Sequence, residues 1–238
     1  MVEVAKSYLE VPYVAGTLEK GDKEQLTIRE DGLDCTTFVE LTIARWLAMK
    51  SSDLTFEKQV QQLRYRKGVV DGYLSRLHYF TDWVAENTHR GIWHELTPEE
   101  GNTIWSTDTL NLSFMSEHPQ NYSYLKSNAW AVDSMRAIEQ KYTHYPIHYI
   151  SKEHLNLTPQ ELPIRNGDIL ALVTTIDGLD VTHLGFAVWK DMTLHLIHAS
   201  MTHGKVVIDE RSLYEYLKTR KNCPGVRVVR LADEKNCD

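Results

Sequence analysis

The chain has 238 residues, 42% of them hydrophobic, and a formal net charge of −7. That length supports one sizeable core, and the scattered basic residues offer no nucleic-acid surface. No apolar run reaches the roughly 18–20 residues of a membrane span, and cysteines at 35, 223 and 237 are too few for a disulfide framework.

Residues 2–10 read as a short amphipathic helix closed by Val11-Pro12, with none of the charged-then-apolar order of a signal peptide. Residues 35–49 predict a second, largely buried helix, since Phe38, Val39, Leu41, Ile43, Ala44, Trp46 and Leu47 leave little polar face. Thr37 with Glu40 fits a capping box at its start, and Asp34 is the alternative N-cap. Helical patterns recur near 54–67, 75–87 and 127–141 within a polar, aromatic-rich stretch. After Pro163 the period becomes that of strands: 168–175, 183–190, 193–200, 205–210 and 226–231, with one helix over 212–220. Helices followed by an antiparallel meander predict an α+β fold. The expected organisation is a single catalytic domain over 1–238, with a helical insertion over about 50–165.

The most informative residue is Cys35, in Gly32-Leu33-Asp34-Cys35-Thr36-Thr37-Phe38-Val39-Glu40. Its thiol stands at a helix N-terminus, where unpaired N–H groups and the macrodipole favour a thiolate. Two histidines follow far downstream in strand-like runs, His183 and His198. This is the layout of a papain-like cysteine hydrolase, with the nucleophile helix packed on an antiparallel sheet. A two-residue loop at Asp191-Met192 would pair Lys190 with Thr193 and Val188 with His195. Gly185 would then face His198, leaving His183 on the same side and within reach of it. His195 would lie on the other face. The face bearing His183, Gly185 and Ala187 is small enough for the helix carrying Cys35 to dock on it. In this arrangement Cys35 is the nucleophile, His183 the base and then the acid, and His198 the residue that orients His183. The Cys35 N–H is the expected oxyanion donor. Cys223 and Cys237, in polar surroundings, read as surface thiols or a local bridge.

These residues resemble the NlpC-type cell-wall peptidase superfamily of papain-like enzymes. The matching motifs are Pro12-Tyr13-Val14, Asp34-Cys35, His183-Leu184-Gly185-Phe186 and His198-Ala199-Ser200. Tyr13 to Glu19, Asp34 to Glu40, Ser75-Arg76-Leu77-His78-Tyr79-Phe80 and Asn166-Gly167-Asp168 are similar to one branch, associated with N-acetylmuramoyl-L-alanine amidase activity. The resemblance implies the same three catalytic residues, with Tyr13, Asp34 and Thr36 bordering the substrate. Thr36-Thr37 replaces the usual Ser-Gly, and Ala15 the usual Trp, so the substrate rules of the dipeptide-cleaving endopeptidases do not carry over. Arg76 is the candidate for a substrate carboxylate, while Arg64 reads as a solvated helix arginine and Arg66 as a further option. Trp83, Trp93, Trp105 and Trp130 read as packing residues before sugar platforms.

The implied reaction is cleavage of the amide between N-acetylmuramic acid and L-alanine through a thioester. Its substrate would be a small muropeptide or peptidoglycan fragment, with no cofactor. Alternatives are a γ-D-glutamyl-diamino acid endopeptidase and a thiol acyltransferase. A metal enzyme is disfavoured, because Pro146 interrupts His144 and His148 and no H-E-x-x-H occurs. A glycan-binding module would make the Cys35, His183 and His198 pattern a coincidence. The implied location is the bacterial envelope, periplasmic if an export segment lies outside this chain; a cytoplasmic location stays open.

Overall fold

The computed structural model describes residues 1–19, 23–50 and 53–232. Helices α1 (Val2–Lys6), α2 (Cys35–Lys50), α3 (Phe56–Arg64) and α4 (Phe80–His89) come first. Strands β1 (Trp93–Glu95) and β2 (Trp105–Leu110) precede helices α5 (Phe114–Glu117), α6 (Ser123–Lys126) and α7 (Ala129–Glu139). Then come β3 (Tyr145–Ser151), β4 (Ile169–Val173), β5 (Val181–Lys190), β6 (Thr193–Ser200) and β7 (Lys205–Ile208), with α8 (Leu213–Lys218) before β8 (Gly225–Leu231). The strands form one antiparallel sheet, β2-β3-β8-β4-β5-β6-β7, with β1 on the other half of β8. The α+β class and every strand expected after Pro163 are present. No helix among the described residues is long and apolar enough to cross a membrane.

Two expectations change. Helix α1 ends at Lys6: the Ser7 hydroxyl donates to the Val4 carbonyl, and Glu10 turns the chain at φ 73°. The insertion is not purely helical, because β1, β2 and β3 lie inside it and join the main sheet. These strands lack apolar alternation because each has little to bury. β2 is an edge strand with its middle exposed. Pro146 sits on the part of β3 that pairs with β2 alone, where a missing donor on the other side costs nothing.

Two apolar layers cover the two faces of the sheet. On one face, Phe38, Val39, Ile43 and Ala44 of α2 pack with Leu184, Phe186, Val188, Ile197 and Ala199. On the other, Leu213, Tyr216 and Leu217 of α8 pack with Leu170, Leu172, Ala187 and Leu196. The helix carrying Cys35 therefore docks on the Leu184–Phe186–Val188 face, opposite to the face expected from the small residues. The bulky even-numbered side chains of β5 supply the area that burial rewards. Gly185 is small for another reason: a Cβ there would lie 2.7 Å from the Ile197 carbonyl oxygen and 2.8 Å from Leu196 on β6.

The β5–β6 hairpin has the expected register, with Lys190 opposite Thr193, Val188 opposite His195 and Phe186 opposite Ile197. Asp191 and Met192 both have positive φ, 47° and 66°, the backbone of a two-residue type I′ loop. Beyond Phe186 and Ile197 the two strands part, and β6 continues beside β7 as far as Ser200 and Lys205. The site lies at this parting.

Candidate active site

Asp34 caps α2. Its carboxylate accepts from the Thr37 N–H at 2.8 Å, and its own N–H donates to the Thr37 hydroxyl at 2.9 Å. The capping box therefore runs from Asp34 to Thr37, and Glu40 is not part of it. Glu40 is buried, where it accepts from Arg64 Nε at 2.7 Å. Capping by Asp34 fixes Cys35 as the first residue of the helix, in the half-buried position needed to face a cleft.

The Cys35 sulfur accepts from the Leu184 N–H, the residue after His183, and from the N–H and hydroxyl of Thr36. Leu184 can offer its amide because β5 and β6 no longer run paired there. His183 is half-buried, and its Nε2 lies 2.5 Å from Nδ1 of the fully buried His198. The rings meet edge to face with centroids 4.8 Å apart. The two imidazoles therefore meet, as the period of two along the strands predicts. His195 falls opposite Val188 and bonds the Asp209 carbonyl at 3.0 Å.

The electrostatics correct one expectation. Burial, followed by the Asp34 carboxylate, pushes the Cys35 thiol up to about 11 despite its N–H donors. Burial, then His198 and Arg220, lowers His183 to about 3. His198 is lowered to about 4 by burial, although Asp209 works the other way. At neutral pH these shifts favour a neutral thiol beside neutral imidazoles, not a preformed thiolate–imidazolium pair. Desolvation of the sulfur outweighs the helix N-terminus here.

Cys35, Asp34, Thr36 and His183 line a cleft of about 270 Å³. Its opposite wall is Arg76-Leu77-His78-Tyr79-Phe80, the branch-like segment of the sequence, joined by Trp83, Met115 and Tyr122. Tyr13 is half-buried and close enough to feel the Cys35 and Asp34 charges, but it does not line this cleft. Thr36 lies exposed at the rim.

Arg76 borders the cleft as expected, but its guanidinium is engaged. Nη2 donates to Glu19 at 2.7 Å, Nε lies 3.3 Å from Glu24, and the group sits over the Tyr73 ring. Arg64 is not solvated: it is 1% exposed, bonds Glu40 and donates to the Thr27 carbonyl. Arg66 is held by Asp82. Trp83 and Trp93 are packed core residues with ring centroids 4.3 Å apart, whereas Trp130 is 61% exposed. Cys223 is buried, not on the surface, because it packs with the α8 layer; Cys237 lies outside the described residues. His148 is on strand β3 and bonds Thr107, with Pro146 in the same strand as the sequence required. No group of three His, Cys, Asp or Glu among the described residues could hold a metal.

Sequence reasoning missed Asp209. Its carboxylate lies 3.7 Å from His198 Nε2 and is gripped through both oxygens by Arg211. The signal was available: His198 pairs with Val207, and the residue two further on shares that face.

Residues 3–226 match the AmiA-like family, described as N-acetylmuramoyl-L-alanine amidase-like. The chain belongs to this family. Among solved structures it is similar to an N-acetylmuramoyl-L-alanine amidase from Bacteroides uniformis, with 40% identity, 97% of each chain covered and a TM-score of 0.90. A Bacteroides fragilis protein provisionally named a xylanase is equally similar, at 40% identity, TM-score 0.88, and 96% of this chain and 99% of that one covered. A Legionella pneumophila protein at 23% identity shares the fold, with TM-score 0.72 and 98% of this chain and 88% of that one covered. No curated protein matches the chain.

Proposed function

We propose that the protein is a cysteine-dependent N-acetylmuramoyl-L-alanine amidase with a papain-like arrangement of Cys35, His183 and His198. The observation that carries this is the 2.5 Å contact between His183 and the buried His198, with His183 sharing one cleft with a thiol bonded to the Leu184 amide. His183 spends Nε2 on His198, which leaves Nδ1 to take the Cys35 proton. The sulfur attacks the lactyl carbonyl, and the resulting oxyanion is met by the Cys35 N–H at the helix start. Collapse breaks the C–N bond. His183 returns its proton to the leaving L-alanine nitrogen, and a thioester to the muramic acid remains. Water, deprotonated by His183, then releases the carboxylic acid and restores the thiol. With burial raising the thiol and lowering the imidazole, proton transfer accompanies attack.

The walled cleft suits small, soluble muropeptides, and the net charge of −7 gives no attraction to an anionic wall polymer. The substrate arms are not set by a free cation at Arg76, since Glu19 and Glu24 already neutralise it. We propose instead that Arg76 stiffens the cleft wall.

The test is incubation with MurNAc-L-Ala-γ-D-Glu-diamino acid and mass analysis of the products. Free muramic acid sugar with an intact tripeptide is expected. MurNAc-L-Ala-D-Glu with a free diamino acid would assign the chain to the endopeptidases instead. Release of xylose or xylo-oligosaccharide from xylan, with the muropeptide untouched, would overturn the amidase reading altogether.

A further inference from the structure

His198 presents an unusual end to its ring. Nδ1 is satisfied by His183, yet Nε2 is buried with no hydrogen-bond partner and faces the Asp209 carboxylate at 3.7 Å. Asp209 is itself 2% exposed. Its orientation is fixed: Arg211 donates from Nε to Oδ1 at 2.9 Å, from Nη2 to Oδ2 at 2.8 Å, and from its backbone N–H to Oδ1 at 3.0 Å. The α8 residue Tyr216 closes the other side, edge-on to His198 at 5.4 Å, with the Arg211 and Arg220 guanidinium groups over its ring.

We infer that Asp209, clamped by Arg211, is a positioning residue that sets the tautomer of both histidines and so delivers the lone pair of His183 to Cys35. The inference rests on the cysteine-amidase reading above. A carboxylate opposite a ring nitrogen favours N–H over a lone pair there, so His198 carries its proton on Nε2. Its Nδ1 is then an acceptor, which makes His183 Nε2 the donor across the 2.5 Å contact. The remaining nitrogen of His183, Nδ1, is left unprotonated. The reverse tautomer of His198 would put a proton on His183 Nδ1 and remove the base. Asp209 keeps its charge throughout, since Arg211 holds its carboxyl below the usual range although burial opposes this. That negative charge favours a proton on His198, which His203, Arg220 and Arg211 oppose, and Arg220 also opposes charge on His183.

The experiment compares wild type with Asp209→Asn, Asp209→Glu and Cys35→Ala. Kinetics on MurNAc-tripeptide are combined with 15N–1H NMR of the histidine rings, recorded in the Cys35→Ala background. Asp209→Asn is expected to lower kcat by about 10- to 100-fold with little change in KM, and to alter the pH profile of kcat. Asp209→Glu should recover part of the rate. In Cys35→Ala alone, which leaves the histidine cluster untouched, the spectrum should show His198 with N–H at ε2 and His183 also protonated at ε2. A His198 protonated at δ1 in that spectrum overturns the proposal whether or not the Asp209 variants fold. So does a folded Asp209→Asn enzyme with wild-type kcat and an unchanged pH profile. Full activity of Cys35→Ala would instead sink the nucleophile assignment beneath it, a separate failure.

Discussion

The β5–β6 hairpin and the segment between α2 and β4 are built by different means. The hairpin is held by backbone ladders and by apolar side chains on both faces: Phe186 and Ile197 toward α2, Ala187 and Leu196 toward α8. The other segment has an apolar cluster of its own, Leu110, Met115, Leu125 and Met135 among it, and adds a set of buried polar contacts. Arg64 ties α3 to Glu40 of α2, and Asp82 accepts from Arg66 and from the Tyr142 hydroxyl. Tyr79 donates to Glu139, Arg227 of β8 grips Glu95, and Thr81 donates to Asp180. Apolar alternation and a two-residue loop dictate the first region locally. The second is specified by partners far apart in sequence, and its strands therefore look polar and irregular until their partners are known. The proposed mechanism draws on both: the hairpin places the imidazoles, and the other segment walls the cleft beside His183.

The largest effect should come from the hairpin. His183→Ala is expected to lower kcat by three to four orders of magnitude, because it removes base and acid together. His148→Ala, on β3 of the other region, should change kcat less than twofold. Comparable losses from both in steady-state assays would dissolve the distinction between a catalytic hairpin and a structural segment.

Next is the polar segment. Arg64→Met strands the Glu40 carboxylate, 2% exposed, and removing one partner of a buried pair costs about 3–5 kcal/mol. Urea unfolding should show that loss in the midpoint with little change in slope. A loss below about 1 kcal/mol would mean that water reaches Glu40, and that the buried polar contacts add little to the apolar packing of this region.

A smaller effect, read per pH unit, concerns the thiol. With Cys35 pushed up to about 11, its thiolate fraction grows about tenfold per pH unit below that value. Iodoacetamide modification of the Cys35 peptide should therefore keep accelerating from pH 7 through pH 10. A rate that levels off below pH 7 would reveal a thiolate–imidazolium pair and show that the helix N-terminus outweighs burial after all.

The contrast also explains what the sequence made legible. The Cys35 helix start, the hairpin register and the shared side of His183 and His198 follow from a capping residue, a loop length and a period of two. All three are local quantities. The docking face of α2 is not legible locally, because Gly185 and Ala187 read as room for a helix, whereas Gly185 makes room for the carbonyl of Ile197. The strands β1, β2 and β3 were missed because Trp105 to Leu110 and Tyr145 to Ser151 bury few side chains. β1 and β3 enter the sheet through β8, more than seventy residues away along the chain, and β2 enters through β3. Arg64 and Arg76 looked like solvated or substrate-facing cations, since nothing in their own neighbourhood names Glu40, Glu19 or Glu24 as partners. Asp209 needed one further step of the same parity rule that found His198.

The most direct test of the central claim is turnover of MurNAc-tripeptide by Cys35→Ala, measured beside its thermal melt. The thiol is a small group at a helix end, so the melt should match wild type within a few degrees. Turnover should fall below detection, with no muramyl adduct in the intact-protein mass. A folded Cys35→Ala protein that releases muramic acid sugar at the wild-type rate would contradict the account.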